Sequence, residues 1–248
     1  MSEIVTGAAY VEALTSLESD RRARAAFQDL ACRIARPGAT LFDFGAGPGL
    51  DARLYAERGF AVAAYDIDPK MREFFAGHCR EFIATGQVVL HGGSYREFLA
   101  GNSCAERPAD LVTSNFAPLN LVADLRELFA KFHALTRPDG YVLASVLNPY
   151  WVRDLKCPWW WRNVGRLWRK GYYFVPGPLA PTARRRLANY AAESAPYFVL
   201  ERVFRGMPTA ASTAIEGLDI SRGIGHAWLR LTRCQFMFLL FRRQNEPA

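Results

Sequence analysis

The chain is short of several features that would each have fixed a different reading. Its 248 residues hold five cysteines, an odd number, and none of Cys32, Cys79, Cys104, Cys157 and Cys234 forms a C-x-x-C pair. A disulfide scaffold and a thiolate zinc site are both disfavoured. The four histidines (His78, His91, His133, His226) are scattered without ligand spacing, so no metal is expected. The longest strictly apolar run, Phe236 to Phe241, suits a strand and falls far short of the ~20 residues that span a bilayer. The opening Met1-Ser2-Glu3-Ile4 lacks a leader pattern, and with unpaired thiols this points to a reducing cytoplasm. There is no repeat, low-complexity tract or long linker.

What is present is enough apolar sequence, 50% of the residues, to bury one full α/β core. Alternating apolar strands and amphipathic helices from residue 39 to 147 imply a mostly parallel sheet covered on both faces. The segment after Leu119 shows a helical period, with Leu121, Leu125, Leu128, Phe129, Phe132 and Leu135 on one face. The most informative stretch is Leu41-Phe42-Asp43-Phe44-Gly45-Ala46-Gly47-Pro48-Gly49, an apolar run with one acid that breaks into three alternating glycines. A strand followed by such a loop and then a helix (Asp51 to Arg58) lets backbone approach a ligand and aims free N–H groups at it. A second buried strand, Ala61 to Tyr65, ends at Asp66, 19 residues past Gly47. That is close to the ~20-residue spacing at which a βαβ unit sets a carboxylate beside a ribose. Asp68 suits the N-cap and Pro69 the first turn of the next helix.

Two nucleoside-binding classes share this geometry. A dinucleotide dehydrogenase wants its third glycine at position 50, which is Leu50, and has little use for Asp43 inside the first strand. The pattern acid-x-G-x-G-x-G, with an acid closing the second strand, resembles motifs I and II of the class I S-adenosylmethionine-dependent methyltransferases. The resemblance is to the small-molecule branch of bacterial type. Gln87 to Leu90 then reads as strand three, Asp110 to Phe116 as strand four, and Arg137-Pro138-Asp139-Gly140 as the turn into strand five, Tyr141 to Leu147. The resemblance implies a Rossmann-like methyltransferase fold: α/β, doubly wound, with a mostly parallel seven-stranded sheet. Strands six (Tyr197 to Phe204) and seven (Arg233 to Phe241) would close it, the last strand antiparallel, with an α-helical lid insert before them.

The expected organisation is a single domain over 1–248. Residues 1–36 form an N-terminal helical cover over the cofactor opening, 37–148 the cofactor-binding core, 149–192 a basic aromatic insert or lid, and 193–248 the closing strands and a substrate-side segment, Ala211 to His226, which the resemblance sets beside the substrate pocket. The resemblance also assigns roles. Gly45, Ala46, Gly47 and Gly49 would wrap the methionyl part and ribose of S-adenosyl-L-methionine, with Asp43 fixing the loop. Asp66 would take both ribose hydroxyls, Ile67 would pack on the adenine face, and Gly93 and Ser94 would line the adenine edge. Asn115 and Phe116 would face the methionyl and sulfonium region. The asparagine-Pro-Pro-aromatic run of amino-methylating nucleic-acid members is absent.

Between Trp151 and Arg186 stand nine basic residues and one acid, a net of +8 in a chain whose total is +7, and five of the six tryptophans. On a helix opened by Pro158, Trp160, Val164, Leu167 and Trp168 share one face. Arg162, Arg166, Arg169 and Lys170 fall opposite. The segment is either a lid with solvated arginines or a docking surface for an acidic carrier protein or a membrane. Nucleic acid is disfavoured because no RNA-binding module is attached. Insert aromatics suggest a flat or lipophilic small-molecule acceptor, or they are ordinary core. Tyr10, Tyr150 and Trp151 are the candidate substrate contacts. No general base is assigned, because the sulfonium is already an activated donor and alignment does most of the work. The leading expectation is methyl transfer to a small, lipophilic or aromatic acceptor, free or carrier-bound, with oxygen the favoured acceptor atom. The alternatives are a nicotinamide-dependent oxidoreductase and a non-catalytic nucleoside-binding module docking to an anionic partner.

Overall fold

The computed structural model describes residues 17–101, 107–176, 181–205, 217–219 and 234–245. Tyr10, and nearly all of the stretch from Ala211 to His226, lie outside the described residues. Helix α1 (Glu18–Ile34) leads into strand β1 (Thr40–Phe44), helix α2 (Leu50–Glu57) and strand β2 (Ala61–Tyr65). Helices α3 (Pro69–His78) and α4 (Arg80–Ala84), strand β3 (Val88–His91), helix α5 (Tyr95–Ala100) and strand β4 (Ala109–Ser114) follow. A 3-10 turn (Pro118–Asn120) and helix α6 (Leu125–Leu135) reach strand β5 (Thr136–Leu147). The insert contains α7 (Pro158–Lys170), a hairpin of β6 (Tyr172–Val175) and β7 (Thr182–Arg185), and α8 (Leu187–Ser194). Strands β8 (Phe198–Arg205), β9 (Gly217–Asp219) and β10 (Phe236–Arg243) complete the main sheet.

The sheet order is β3-β2-β1-β4-β5-β10-β8-β9. Strands β1 to β5 pair in parallel, and β10 runs antiparallel to both β5 and β8. The seven expected strands are all present, and β9 adds three residues at the β8 edge. The chain winds outward from β1 to β3 and then returns to β4 on the other side of β1. That reversal opens a crevice at the carboxyl ends of the strands.

Strand periodicity sorts side chains onto two packed layers. Leu41 and Phe238 join Phe27, Tyr55 and Phe75 on one face; Phe42, Phe44 and Phe241 join Phe98, Phe129 and Phe132 on the other. Asp43 is the odd residue of β1, directed to the same side as Leu41 and buried there. Helix α3 starts as its sequence expects, with Pro69 in the first turn and the Asp68 carboxylate accepting from Lys70 N at 2.8 Å. Helix α6 begins later than the apolar period suggests. Asp124 caps it by accepting from Glu127 N, so Leu121 falls outside the helix and is exposed. The Arg137-Pro138-Asp139-Gly140 stretch lies within β5 as an irregularity, with Asp139 at φ 60° and a register shift opposite Ala109 and Leu111. Among the described residues no helix is long and apolar enough to cross a membrane.

Candidate functional site

Four parallel strands deliver their ends to the same edge of the sheet: the glycine loop after β1, Asp66 after β2, Asn115 and Phe116 after β4, and Tyr150 shortly after β5. The loop leaves β1 with Gly45 N and Ala46 N both donating to Tyr65 O, at 2.8 and 3.1 Å. Gly45, Gly47 and Gly49 all adopt left-handed φ, at 71°, 55° and 83°. Their surroundings differ. A Cβ on Gly45 would lie 2.6 Å from Pro118, and one on Gly49 would lie 2.8 Å from Phe75. At Gly47 nothing stands within 4 Å. The outer glycines thus let the loop pack on protein, and the central one borders open space. His78 Nδ1 donates to Pro48 O at 2.7 Å and pins the loop from α3.

Asp66 is buried at 7% exposure, and its carboxylate is a structural hub. Oδ2 accepts from Gly47 N at 2.7 Å and Oδ1 from Asp68 N at 2.8 Å. Burial pushes its pKa up, and those two backbone N–H groups oppose the shift. Each oxygen keeps a lone pair, so the loop tie does not exhaust its accepting capacity. Asp66 thereby joins the second strand to the glycine loop. Next to it, Ile67 is 56% exposed, an apolar face turned outward beside a buried acid. Arg72 braces this corner by donating to the carbonyls of Asp66 and Ile67.

Asp43 takes its hydrogen bond from Thr113 Oγ1 of β4, at 3.0 Å, and not from the loop it was expected to fix. Its Oδ2 is buried without a hydrogen-bond partner. Burial, then the neighbouring charge of Asp51, pushes its pKa up to about 8. Gly93 and Ser94 stand past β3, but the Ser94 hydroxyl is engaged: it accepts from Glu97 N while the Glu97 carboxylate accepts from Ser94 N, a capping box on α5. Gly93 is held through its carbonyl by Tyr65 OH at 3.2 Å.

After β4 the backbone is strained. Phe116 and Ala117 both have positive φ, 58° and 69°, which L-residues adopt at a cost and which concentrates at ligand sites. Asn115 holds the bend: its Oδ1 accepts from Phe116 N and its Nδ2 donates to Asp51 Oδ2 at 3.0 Å. The Phe116 ring meets Phe236 edge-on at 5.4 Å and carries the Arg24 guanidinium 4.4 Å above its centroid.

Sequence reasoning missed three members of this cluster. Asp51, in the first turn of α2, is buried and receives Asn115, Gln28 Nε2 at 2.7 Å and an ion pair from Arg24 at 3.0 Å. Arg24 and Gln28 are four residues apart on α1 and so present one face to it. The available signal was a polar pair, one helical turn apart, on a helix expected to cover the opening.

Past β5, Tyr150 N donates to Asn148 Oδ1, and buried Asn148 donates through Nδ2 to Cys234 O. Burial raises the Tyr150 pKa, opposed by the nearby Arg186 charge. The Trp151 ring lies under Arg153 at 5.6 Å. Trp160 Nε1 donates to Pro149 O at 2.7 Å and so ties α7 to the same end of β5. The insert's charge divides in two. Arg185 is buried, donating to the carbonyls of Leu119, Val122 and Ala123, and Arg184 pairs with buried Asp154 at 3.3 Å. Arg162, Arg166, Arg169 and Lys170 are exposed. On α7, Trp160 and Leu167 are buried, but Trp168, expected on that face, is exposed. Asn120 joins β5 to the insert, its Oδ1 accepting from Leu147 N and its Nδ2 donating to Ala183 O.

A doubly wound sheet of this order, with a glycine turn at its switch point and an acid ending the next strand, defines the class I S-adenosylmethionine-dependent methyltransferase fold. Residues 17–180 match the methyltransferase domain family, and the chain belongs to it. A segment of 115 residues is 33% identical to the ribosomal protein L11 methyltransferase of Pelotomaculum thermopropionicum, covering 46% of this chain and 34% of that protein. The chain therefore matches about a third of that relative's length. The fold is shared with a TehB-like methyltransferase of Corynebacterium glutamicum: TM-score 0.58, 14% identity, 95% of each chain. It is shared also with the 1,6-didemethyltoxoflavin-N1-methyltransferase of Burkholderia thailandensis, solved with that compound and S-adenosylhomocysteine: TM-score 0.59, 17% identity, 95% of this chain and 84% of that one.

The local features fit the cofactor. Open space over Gly47, a buried carboxylate with spare acceptor capacity at Asp66, an outward apolar face at Ile67 and an unpartnered buried oxygen on Asp43 suit a cationic nucleoside ligand.

Proposed function

We propose that this chain transfers the methyl group of S-adenosylmethionine to a small, lipophilic or aromatic acceptor, with oxygen as the favoured atom. The observation that carries this reading is the pairing of open space over Gly47 with the Asp66 carboxylate, which holds the loop and keeps lone pairs free. In it, Asp66 accepts from the ribose hydroxyls and Ile67 packs on adenine. Ala46 and Gly47 flank the ribose and methionyl chain, while Gly45 and Gly49 shape the loop from behind. Gly93 borders adenine through its backbone, and Ser94 contributes by capping α5. Phe116, held by Asn115, presents its ring to the sulfonium region, where a π face favours positive charge. Arg24, which lies over the same ring, would supply the cation for the methionyl carboxylate in this reading.

When bound, S-adenosylmethionine supplies an already activated sulfonium methyl group. The chain's own residues bind, orient and exclude water. Tyr150 and Trp151, at the end of β5, are the acceptor-side contacts of this reading. The Tyr150 hydroxyl, whose pKa burial raises, positions the acceptor by donating a hydrogen bond to its oxygen in this reading. Acceptors that need no strong base, such as phenols and carboxylates, fit best. Calorimetry with S-adenosylhomocysteine tests the cofactor half: saturable binding is expected, and none with nicotinamide cofactors. A panel of free phenolic and carboxylic acceptors, with methylated product followed by mass spectrometry, tests the acceptor half; products methylated only on nitrogen would overturn it.

A further inference from the structure

Helix α7 buries one face and leaves the rest to solvent. Trp160 and Leu167 pack inward, whereas Trp161 and Trp168 are 62% and 63% exposed. Those two rings are seven residues apart, close to two helical turns, and so lie along one flank. Arg162 and Arg169 flank the same outward face, with Gly165 between the two rows, where a Cβ would meet the Arg169 guanidinium at 3.9 Å. Beyond the helix, Val152, Tyr172 and Phe174 are also exposed. The cations Arg153, Lys156, Arg162, Arg166, Arg169 and Lys170 are all exposed, and none forms an ion pair with a described residue. The one acid of this stretch, Asp154, is buried against Arg184. Such a surface has aromatic rings, free cations and no exposed carboxylate.

We propose that the outward face of α7, with the rim made by Tyr172 and Phe174, docks on an anionic lipid–water interface. Rings more than three-fifths exposed project from the surface, and a lipid interface accepts projecting indoles without a complementary pocket. The Trp161 indole N–H is already satisfied by Leu155 O at 2.8 Å, so the ring brings no unpaired donor into an apolar layer. Long arginine side chains reach phosphate headgroups from a helix lying in the interface. The Trp160 tie to Pro149 anchors the inner side of α7 at the end of β5. The docking surface does not depend on the cofactor site, and failure of either reading leaves the other standing.

The test is sedimentation of the full chain with phosphatidylcholine vesicles, with and without phosphatidylglycerol, at low and high salt. Binding to the anionic vesicles at low salt should be at least about tenfold tighter than to neutral ones, weaken with salt, and shift tryptophan emission to the blue. R162E/R166E/R169E should lose at least about tenfold of that binding, since each basic group near an anionic surface contributes on the order of 1 kcal/mol. W161A/W168A should lose affinity and the emission shift. Circular dichroism and the melting temperature of each variant check that it folds. Equal or absent binding of the unmodified chain to the two vesicle types overturns the proposal without any variant. Binding of soluble polyglutamate without binding of anionic vesicles also overturns it and assigns the face to an acidic protein.

Discussion

The glycine-loop crevice and the basic aromatic insert both gather charged and aromatic residues, but they use them oppositely. In the crevice the charges face inward and are matched: Asp51 by the Arg24 cation and the Gln28 and Asn115 amides, and Asp66 by two backbone N–H groups. On the insert Arg184 and Arg185 are consumed internally, while six cations stay in solvent with exposed rings beside them. A polar group in the crevice has one permitted place, because an unmatched buried charge is costly. A charge on α7 can be moved or reversed with little effect on folding. Changes to the buried charges of the crevice should therefore alter cofactor binding and stability together, and changes on α7 should alter neither.

The sharpest break would come from Gly47→Val. A β-branched side chain at φ 55° is strained by about 1–2 kcal/mol and fills the open space the ligand needs. Binding of S-adenosylhomocysteine should fall below detection by calorimetry, with a melting temperature only slightly lower. Near-normal binding would reduce the glycine loop to a packing turn.

Asp66→Ala comes next. It removes the ribose acceptor and the tie to Gly47 N, so affinity should fall at least about tenfold. Stability should fall too, by on the order of 2 kcal/mol in chemical denaturation. A loss of affinity with stability untouched would show that the loop tie is dispensable.

Arg24→Ala should act more mildly. It leaves Asp51 with its two amide partners and no cation, lowering stability by about 1–3 kcal/mol and cofactor affinity about three- to tenfold. If calorimetry shows unchanged affinity, Arg24 serves Asp51 alone.

The last expected effect is on pH dependence at Asp43. Its folded pKa of about 8 lies above the ordinary value of 3.8, so the folded state holds a proton that the unfolded chain releases. That contribution is full below the ordinary value and is lost as pH rises toward 8. Asp43→Asn should flatten the fall in denaturation midpoint between pH 6 and pH 8. A midpoint as pH-sensitive as that of the parent chain would assign the slope elsewhere, Asp66 being the next group to test.

The sheet was legible because β-strand and helix periods are local. Leu41 and Phe42 reveal two buried faces, and Asp68-Pro69 marks the start of a helix wherever it occurs. Leu121 misled because the apolar period continues through the 3-10 turn, and the cap that starts α6, Asp124, is read from its bond to Glu127 N. Trp168 misled because helical phase alone assigned it to the buried side, and burial depends on what the neighbouring elements cover. Asp43 misled because its partner, Thr113, is 70 residues away and reaches it only through β1–β4 pairing.

The amino-acid sequence by itself determined the α/β winding, the loop of three glycines, and the acid that ends the second strand. These rest on spacing along the chain, which sets backbone conformation and register before any distant contact forms. Only the tertiary structure decided that Gly47 alone of the three borders open space, and that Asp66 holds the loop it faces. It also brought Arg24 and Gln28 onto Asp51 and left Trp161 and Trp168 in solvent. Those outcomes depend on which side chains meet across the sheet and between layers, and such encounters are set by packing, not by distance in sequence.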